Sequence, residues 1–252
     1  MLLAIDAGNS HVTIGLFEGR KLARTWRLRT IREQTADELG LLMHNLFHQK
    51  QLEGVVIASV VPPLDGALAG MARDYFHCEP LFITPDTDIG IAVSYDNPRE
   101  VGADRVVNGV AALNLYGKPC VVADLGTTIN FDVVSSRGEY LGGLICPGIG
   151  ISIQSLAART ARLPMVDFRK PGKLIGSNTV GSIQSGLYYG FIDMIDGILE
   201  RLIAELGPET RTVATGGQAH LIKEGSKFIQ EVNEDLTLQG LEMIWQRNRR
   251  TI

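Results

Sequence analysis

Met1-Leu-Leu-Ala-Ile-Asp6-Ala-Gly8-Asn9-Ser10 is a short apolar run that stops in a polar turn, and an apolar pattern resumes from Val12 to Phe17. This is the grammar of strand, tight turn, strand. A second turn at Glu18-Gly19 leads into a third run, Leu22 to Leu28, completing an antiparallel meander. The grammar returns 118 residues later, counted from Asp6 to Asp124, in Cys120-Val-Val-Ala-Asp124-Leu-Gly126-Thr127-Thr128. Asn130 to Val134, a turn through Gly138, and Tyr140 to Leu144 follow it. Asp, Gly and a hydroxyl residue recur in register at an offset close to half the chain, which predicts an internal duplication with a boundary near Gly117-Lys118-Pro119. The expected domains are 1–117 and 118–252.

Helical periodicity fills the intervals at Ala36 to Lys50, Leu64 to Phe76, Ala103 to Tyr116, Gly150 to Arg162, Thr179 to Leu206, Gln218 to Glu224 and Leu238 to Arg249. Val55 to Val60 and Thr212 to Thr215 read as buried strands. Hairpin strands and isolated buried strands alternating with helices predict an α/β protein with a mixed sheet, covered by helices, in each half.

The 252 residues are 45% hydrophobic and 21% charged, an ordinary globular composition. At roughly 100 to 200 residues per domain, the length accommodates one large domain or two small ones. A net charge of −4, with 24 Lys and Arg against 28 Asp and Glu, lacks the basic footprint of a nucleic-acid binder. Cys78, Cys120 and Cys146 cannot all pair within one chain and form no C-x-x-C spacing, so a reducing, cytoplasmic setting is expected rather than a disulfide framework or a structural zinc. No apolar run approaches the roughly 18 residues of a membrane span, and Met1 to Asp6 has no basic leader segment, so neither export nor membrane insertion is expected.

Asp6, Gly8, Asn9 and Ser10 suit a nucleotide phosphate: Gly allows close backbone approach, amide and hydroxyl donate, and Asp can hold Mg2+ directly or through water. The same residues are common turn formers. The second copy at Asp124 to Thr128 favours chemistry, because two carboxylate-bearing hairpins would clamp a cation and a phosphate between two lobes. Asp104 precedes the apolar pattern Val106, Val107, Val110, Leu113, which places it at a helix N-terminus as a cap or as an ionised proton acceptor. Arg105 could fork onto a substrate carboxylate or a structural one.

Asn178-Thr179 opens the longest helix, whose Gly181, Ser182, Ser185, Gly186 and Gly190 give it a small-residue side suited to close packing. There is no G-x-x-x-x-G-K-[ST], since Gly172-Lys173 is followed by Leu174, and this excludes a P-loop kinase. Gly148-Ile-Gly150 reads as an ordinary tight start to a helix. His44 and His48 share a helical face, but Asn45 stands where a zincin carries Glu, so no zinc is expected. His11, His77 and His220 define no catalytic triad, and no G-x-S-x-G elbow is present.

The chain resembles the type III pantothenate kinases of the acetate kinase, sugar kinase and actin superfamily. The resemblance covers essentially the whole chain and rests on Asp6 to Ser10, Gly102-Ala-Asp-Arg105, Asp124 to Thr128, Gly142 to Gly148, Asn178 to Gly186, Ala214-Thr-Gly-Gly217 and Asp235 to Leu241. It implies two similar ribonuclease H-like or actin-like halves and transfer of the ATP γ-phosphoryl group to the primary hydroxyl of pantothenate, the first step of coenzyme A synthesis. It implies ATP phosphates on Asp6, Ala7, Gly8, Asn9, Ser10, His11, Val12, Thr13 and Thr127, with Mg2+ accompanying ATP. Pantothenate would bind Tyr95, Gly102, Ala103, Asp104, Arg105 and Thr179, with Asp104 as proton acceptor. Asp124 would hold a monovalent cation, K+ or NH4+, in place of the Mg2+ role that the residues alone suggest. A homodimer with the substrate site at its interface is also implied. Ser10 and Asn130 depart from the family's usual residues at those positions, Ser10 keeping the hydroxyl.

Some relatives of that family are transcriptional accessory proteins, an alternative opposed by intact Asp6, Asp104, Arg105 and Asp124. A sugar kinase is disfavoured by the short chain and by the Gly-Ala-Asp-Arg pattern.

Overall fold

The computed structural model describes residues 1–47 and 51–249. It contains ten strands and seven α-helices among those residues, divided between two compact units.

The first unit takes in Met1–Ile91, Tyr95–Ala111 and the last helix. Its sheet is built from β1 (Leu2–Ala7), β2 (His11–Glu18), β3 (Lys21–Arg29), β4 (Gly54–Ser59) and β5 (Pro80–Phe82), in the order β3-β2-β1-β4-β5. β1, β2 and β3 are the antiparallel meander; β4 pairs parallel with β1, and β5 with β4. Period-2 alternation splits β1 between two cores. Leu3, Ile5 and Ala7 face helices α1 (Ala36–Phe47) and α2 (Pro62–Phe76), which contribute Leu39, Met43, Leu64 and Leu68. Leu2 and Ala4 face α3 (Ala103–Tyr116) through Val107 and Val110, and α7 (Leu236–Asn248) through Leu238, Leu241 and Ile244. Each of the Val, Leu, Ile and Met side chains among these stabilises the fold by about 1.5–3 kcal/mol when fully buried.

The second unit, mainly Ala112–Asp235, repeats the plan. Its strands are β6 (Cys120–Leu125), β7 (Thr128–Val134), β8 (Tyr140–Pro147), β9 (Arg211–Thr215) and β10 (Glu231–Val232), ordered β10-β9-β6-β7-β8. β6, β7 and β8 are antiparallel, and β9 pairs parallel with β6 and β10 with β9. Read from the opposite edge, this order matches that of the first sheet, and β1 shifted by 118 residues coincides with β6. One face buries Val121, Ala123, Ile129 and Phe131 under α4 (Ile149–Arg159), α5 (Thr179–Leu206) and α6 (Ala219–Lys223), through Ile153, Tyr188, Ile195 and Ile222. The expected pair of similar α/β halves, each a mixed sheet covered by helices, is the fold of this protein.

The compact units differ from the consecutive segments 1–117 and 118–252. Helix α7 belongs to the first unit, where Thr237 Oγ1 donates to Asn108 Oδ1 at 2.7 Å and the α7 apolar face fills the core beneath β1. The predicted helix Ala36 to Lys50 is α1, which runs to Phe47; residues 48–50, and with them His48, lie outside the described residues. No helix among the described residues is long and apolar enough to cross a membrane.

Candidate active site

Asp6 and Asp124 occupy equivalent places, each the penultimate residue of the central strand of its sheet and each half-buried. Asp6 lies opposite Thr13 on β2 and beside Ala58 on β4; Asp124 lies opposite Asn130 on β7 and beside Thr215 on β9. In the first unit Gly8 N–H donates to the His11 carbonyl at 3.0 Å and closes a turn whose Asn9 and Ser10 are exposed. Ala7 and Val12 are buried and anchor that turn, whereas Thr13 is half-buried. The segment after β3 ties the turn down: Thr30 Oγ1 donates to the Gly8 carbonyl at 2.6 Å, Thr30 N–H to the Ser10 carbonyl at 3.1 Å, and Arg32 Nη2 to Asn9 Oδ1 at 3.3 Å.

The second turn is one residue shorter, with Gly126 N–H donating to the Thr128 carbonyl at 3.0 Å and Thr127 exposed. Asn130 is buried, and its Oδ1 accepts from Thr128 Oγ1 at 3.1 Å. Two further segments close on this turn. Gly148 caps α4 without a side-chain partner, and a Cβ there would stand 2.0 Å from the Thr127 carbonyl oxygen. Gly216 has φ +90°, and a Cβ there would stand 2.7 Å from the Leu125 carbonyl oxygen. Bare backbone is therefore required at both positions, and the open amides of α4 lie beside the turn, an arrangement suited to anions. Gly148 read alone is an ordinary helix start; its chain neighbours carry no sign of the Thr127 contact.

Asp104 is the second residue of α3. Its Oδ1 accepts from Arg105 N–H at 2.9 Å, and a Cβ on Gly102 would stand 2.6 Å from that oxygen, so a side chain there would push the folded-back carboxylate aside. Burial pushes the Asp104 carboxyl above its ordinary value, opposed by the Arg105 amide and the Arg105 charge. The same Gly102 position is 3.5 Å from Val60, whose N–H donates to the Ala7 carbonyl at 3.0 Å. The fold thus brings Gly102, Ala103, Asp104 and the buried Arg105 to the carboxyl ends of β1 and β4, alongside the Gly8–Ser10 turn. Tyr95 is exposed in the segment leading to a 3-10 turn at Pro98–Glu100, which runs into Gly102.

Thr179 begins α5 and is exposed; Asn178 caps the helix by accepting from Gly181 N–H at 2.8 Å. Among the described residues no group of three or more His, Cys, Asp or Glu side chains comes together. His44 is exposed in the last turn of α1.

The chain matches the model of a family described as type III pantothenate kinase over residues 2–201. A type III pantothenate kinase from Solibacter usitatus is 62% identical to it, over 98% of this chain and 97% of that protein. Solved structures that share its fold at low identity include the following two. A protein from Campylobacter jejuni assigned to the Baf family of transcriptional activators has a TM-score of 0.60 at 17% identity, covering 98% of this chain and 99% of the other. The ethanolamine utilization protein EutJ from Carboxydothermus hydrogenoformans has a TM-score of 0.58 at 13% identity, covering 96% and 89%.

Proposed function

The chain belongs to the type III pantothenate kinase family, and from that membership we propose that it phosphorylates pantothenate with ATP, the first step of coenzyme A synthesis. The observation that carries this reading is Asp104, a carboxylate with a raised pKa held at the carboxyl ends of β1 and β4, in the same unit as the phosphate-type turn.

The pantothenate hydroxyl oxygen attacks the γ-phosphorus, the bond to the β–γ bridging oxygen breaks, ADP departs, and the hydroxyl proton passes to an Asp104 carboxylate oxygen. A carboxyl pushed upward is a better acceptor than an ordinary aspartate, and phosphoryl transfer otherwise asks mainly for alignment and charge neutralisation. We assign phosphate contacts to Asp6 through Thr13 and to Thr127. Tyr95, Gly102 to Arg105 and Thr179 are assigned to pantothenate, with the Arg105 guanidinium suited to its carboxylate.

ATP would carry Mg2+, which supplies neutralisation of phosphate charge. The surroundings of Asp124 fit a monovalent cation: one carboxylate, with the oxygen-bearing Asn130 and Thr215 as register neighbours, offers hard oxygen donors with little negative charge.

We also propose a homodimer that completes the pantothenate site. Ser182, Gly186 and Gly190 form an exposed row of small residues four apart on α5, and a Cβ at Gly186 or Gly190 would meet nothing within 4 Å. Ile145, Ile151, Met165, Ile175 and Val180 of the same unit are exposed, Ile175 at 81%, which is apolar surface of the kind that protein partners cover. Cys78, Cys120 and Cys146 are all free thiols, and burial pushes the Cys120 thiol up to about 12.

A coupled assay with pantothenate, ATP, Mg2+ and K+ is expected to show turnover. Replacing K+ by Na+ at matched ionic strength should depress it, and Asp124→Ala should abolish that salt response. ATP binding without turnover would instead favour a regulator, and equal rates in Na+ and K+ would remove Asp124 from cation binding.

A further inference from the structure

Lys21 to Arg32 holds five cations and no acid in a chain whose net charge is −4. The strand register sets two of those cations, Arg27 and Arg29, on one face of the sheet. Thr13 lies opposite Asp6 on one side and opposite Arg27 on the other, so Asp6, Thr13 and Arg27 form one row across β1, β2 and β3. Side chains in one row project from the same face of a sheet. His11 and Arg29 form the next row on that face, and Arg32 reaches Asn9 in the turn itself.

Arg27 Nη2 donates to His11 Nδ1 at 3.2 Å. Burial and the charges of Arg27 and Arg29 hold the His11 imidazole below its usual value, so it remains a neutral acceptor. Among the described residues neither Arg27 nor Arg29 has an acidic partner. Two guanidinium groups held on one face without a counter-charge repel each other unless an anion arrives.

β3 is an edge strand, and edges carry charge to discourage unwanted pairing. That purpose is indifferent to face, and it does not require the Thr30 and Arg32 bonds that fasten the end of β3 to the turn. Resting on the ATP-dependent kinase reading above, we propose that Arg27 binds the terminal phosphates of ATP and neutralises charge on the transferred group, completing a phosphate site begun by Asp6, Gly8 and Thr13. A guanidinium is suited to this because its fork of N–H donors matches phosphate oxygens.

The test measures kcat and KM for both substrates in wild type, Arg27→Gln, Arg27→Lys and Arg24→Gln. Arg24 lies opposite Leu16, on the other face of the same strand, and its substitution removes the same charge. Loss of one charge-assisted contact should lower kcat/KM for ATP about tenfold or more in Arg27→Gln. KM for pantothenate should hold, Arg27→Lys should recover part of the loss, and Arg24→Gln should match wild type. Equilibrium dialysis with ATP alone should show the same weakening for Arg27→Gln. An active wild type with Arg27→Gln unimpaired, or with Arg24→Gln equally impaired, overturns the inference alone. A wild type that binds no ATP overturns the kinase reading itself.

Discussion

At Asp104 the burial that makes the carboxyl a better proton acceptor also makes its ionised form costly in the folded protein. Its folded pKa is raised, so stability present below the ordinary aspartate value of 3.8 is lost as pH rises through the folded pKa. Asp104→Asn removes the ionisation and keeps an oxygen to accept from Arg105 N–H. The variant should therefore lose kcat by about 100-fold or more. At pH 7 it should also melt higher than wild type in the absence of ligands, by ~2–4 °C per kcal/mol relieved. That advantage should shrink to nothing as the pH is lowered past 3.8. Near-normal turnover would refute the proton-acceptor role, and a lower melting point at pH 7 would refute the desolvation argument.

Among the elements, α4 is positioned by where its first turn rests. A Cβ on Gly148 would drive into the Thr127 carbonyl, so Gly148→Ala has to displace either the helix or the turn. Overpacking of this kind costs about 1–3 kcal/mol, and calorimetric melting should show it together with a rise in KM for ATP. A variant with unchanged melting and unchanged KM would separate α4 from the phosphate site. The contact also marks where sequence reading reaches its limit. Helices α3 and α5 are legible to the residue, because their apolar faces begin and end abruptly and Asn178 announces its own cap. The β1 and β6 repeat is legible because a buried strand ending in Asp and Gly leaves a local pattern. β5 and β10, with three and two residues, are too short to show a period. Gly148 against Thr127, Arg27 in the row of Asp6, and α7 beneath the first sheet arise from register and tertiary packing, which no local window contains.

For the whole molecule the question is how many chains make one working site. The exposed Ser182, Gly186 and Gly190 row, and the apolar side chains exposed in the same unit, are surfaces for which a second copy would account. Thr179, three residues before Ser182, would then serve the partner's pantothenate site rather than its own. Asp104→Ala and Thr179→Arg homodimers should each be poorly active, since every pocket carries one defect. In a mixed dimer the two defects fall together in one pocket, and the other pocket has both native residues. Mixing the inactive proteins under verified subunit exchange should restore up to about half of wild-type activity per mixed dimer, one site of two being intact. A pocket built from a single chain would contain one defect in each subunit of every dimer, so no mixture could recover. Exchange without recovery would therefore place Thr179 in its own chain's site or outside the site altogether.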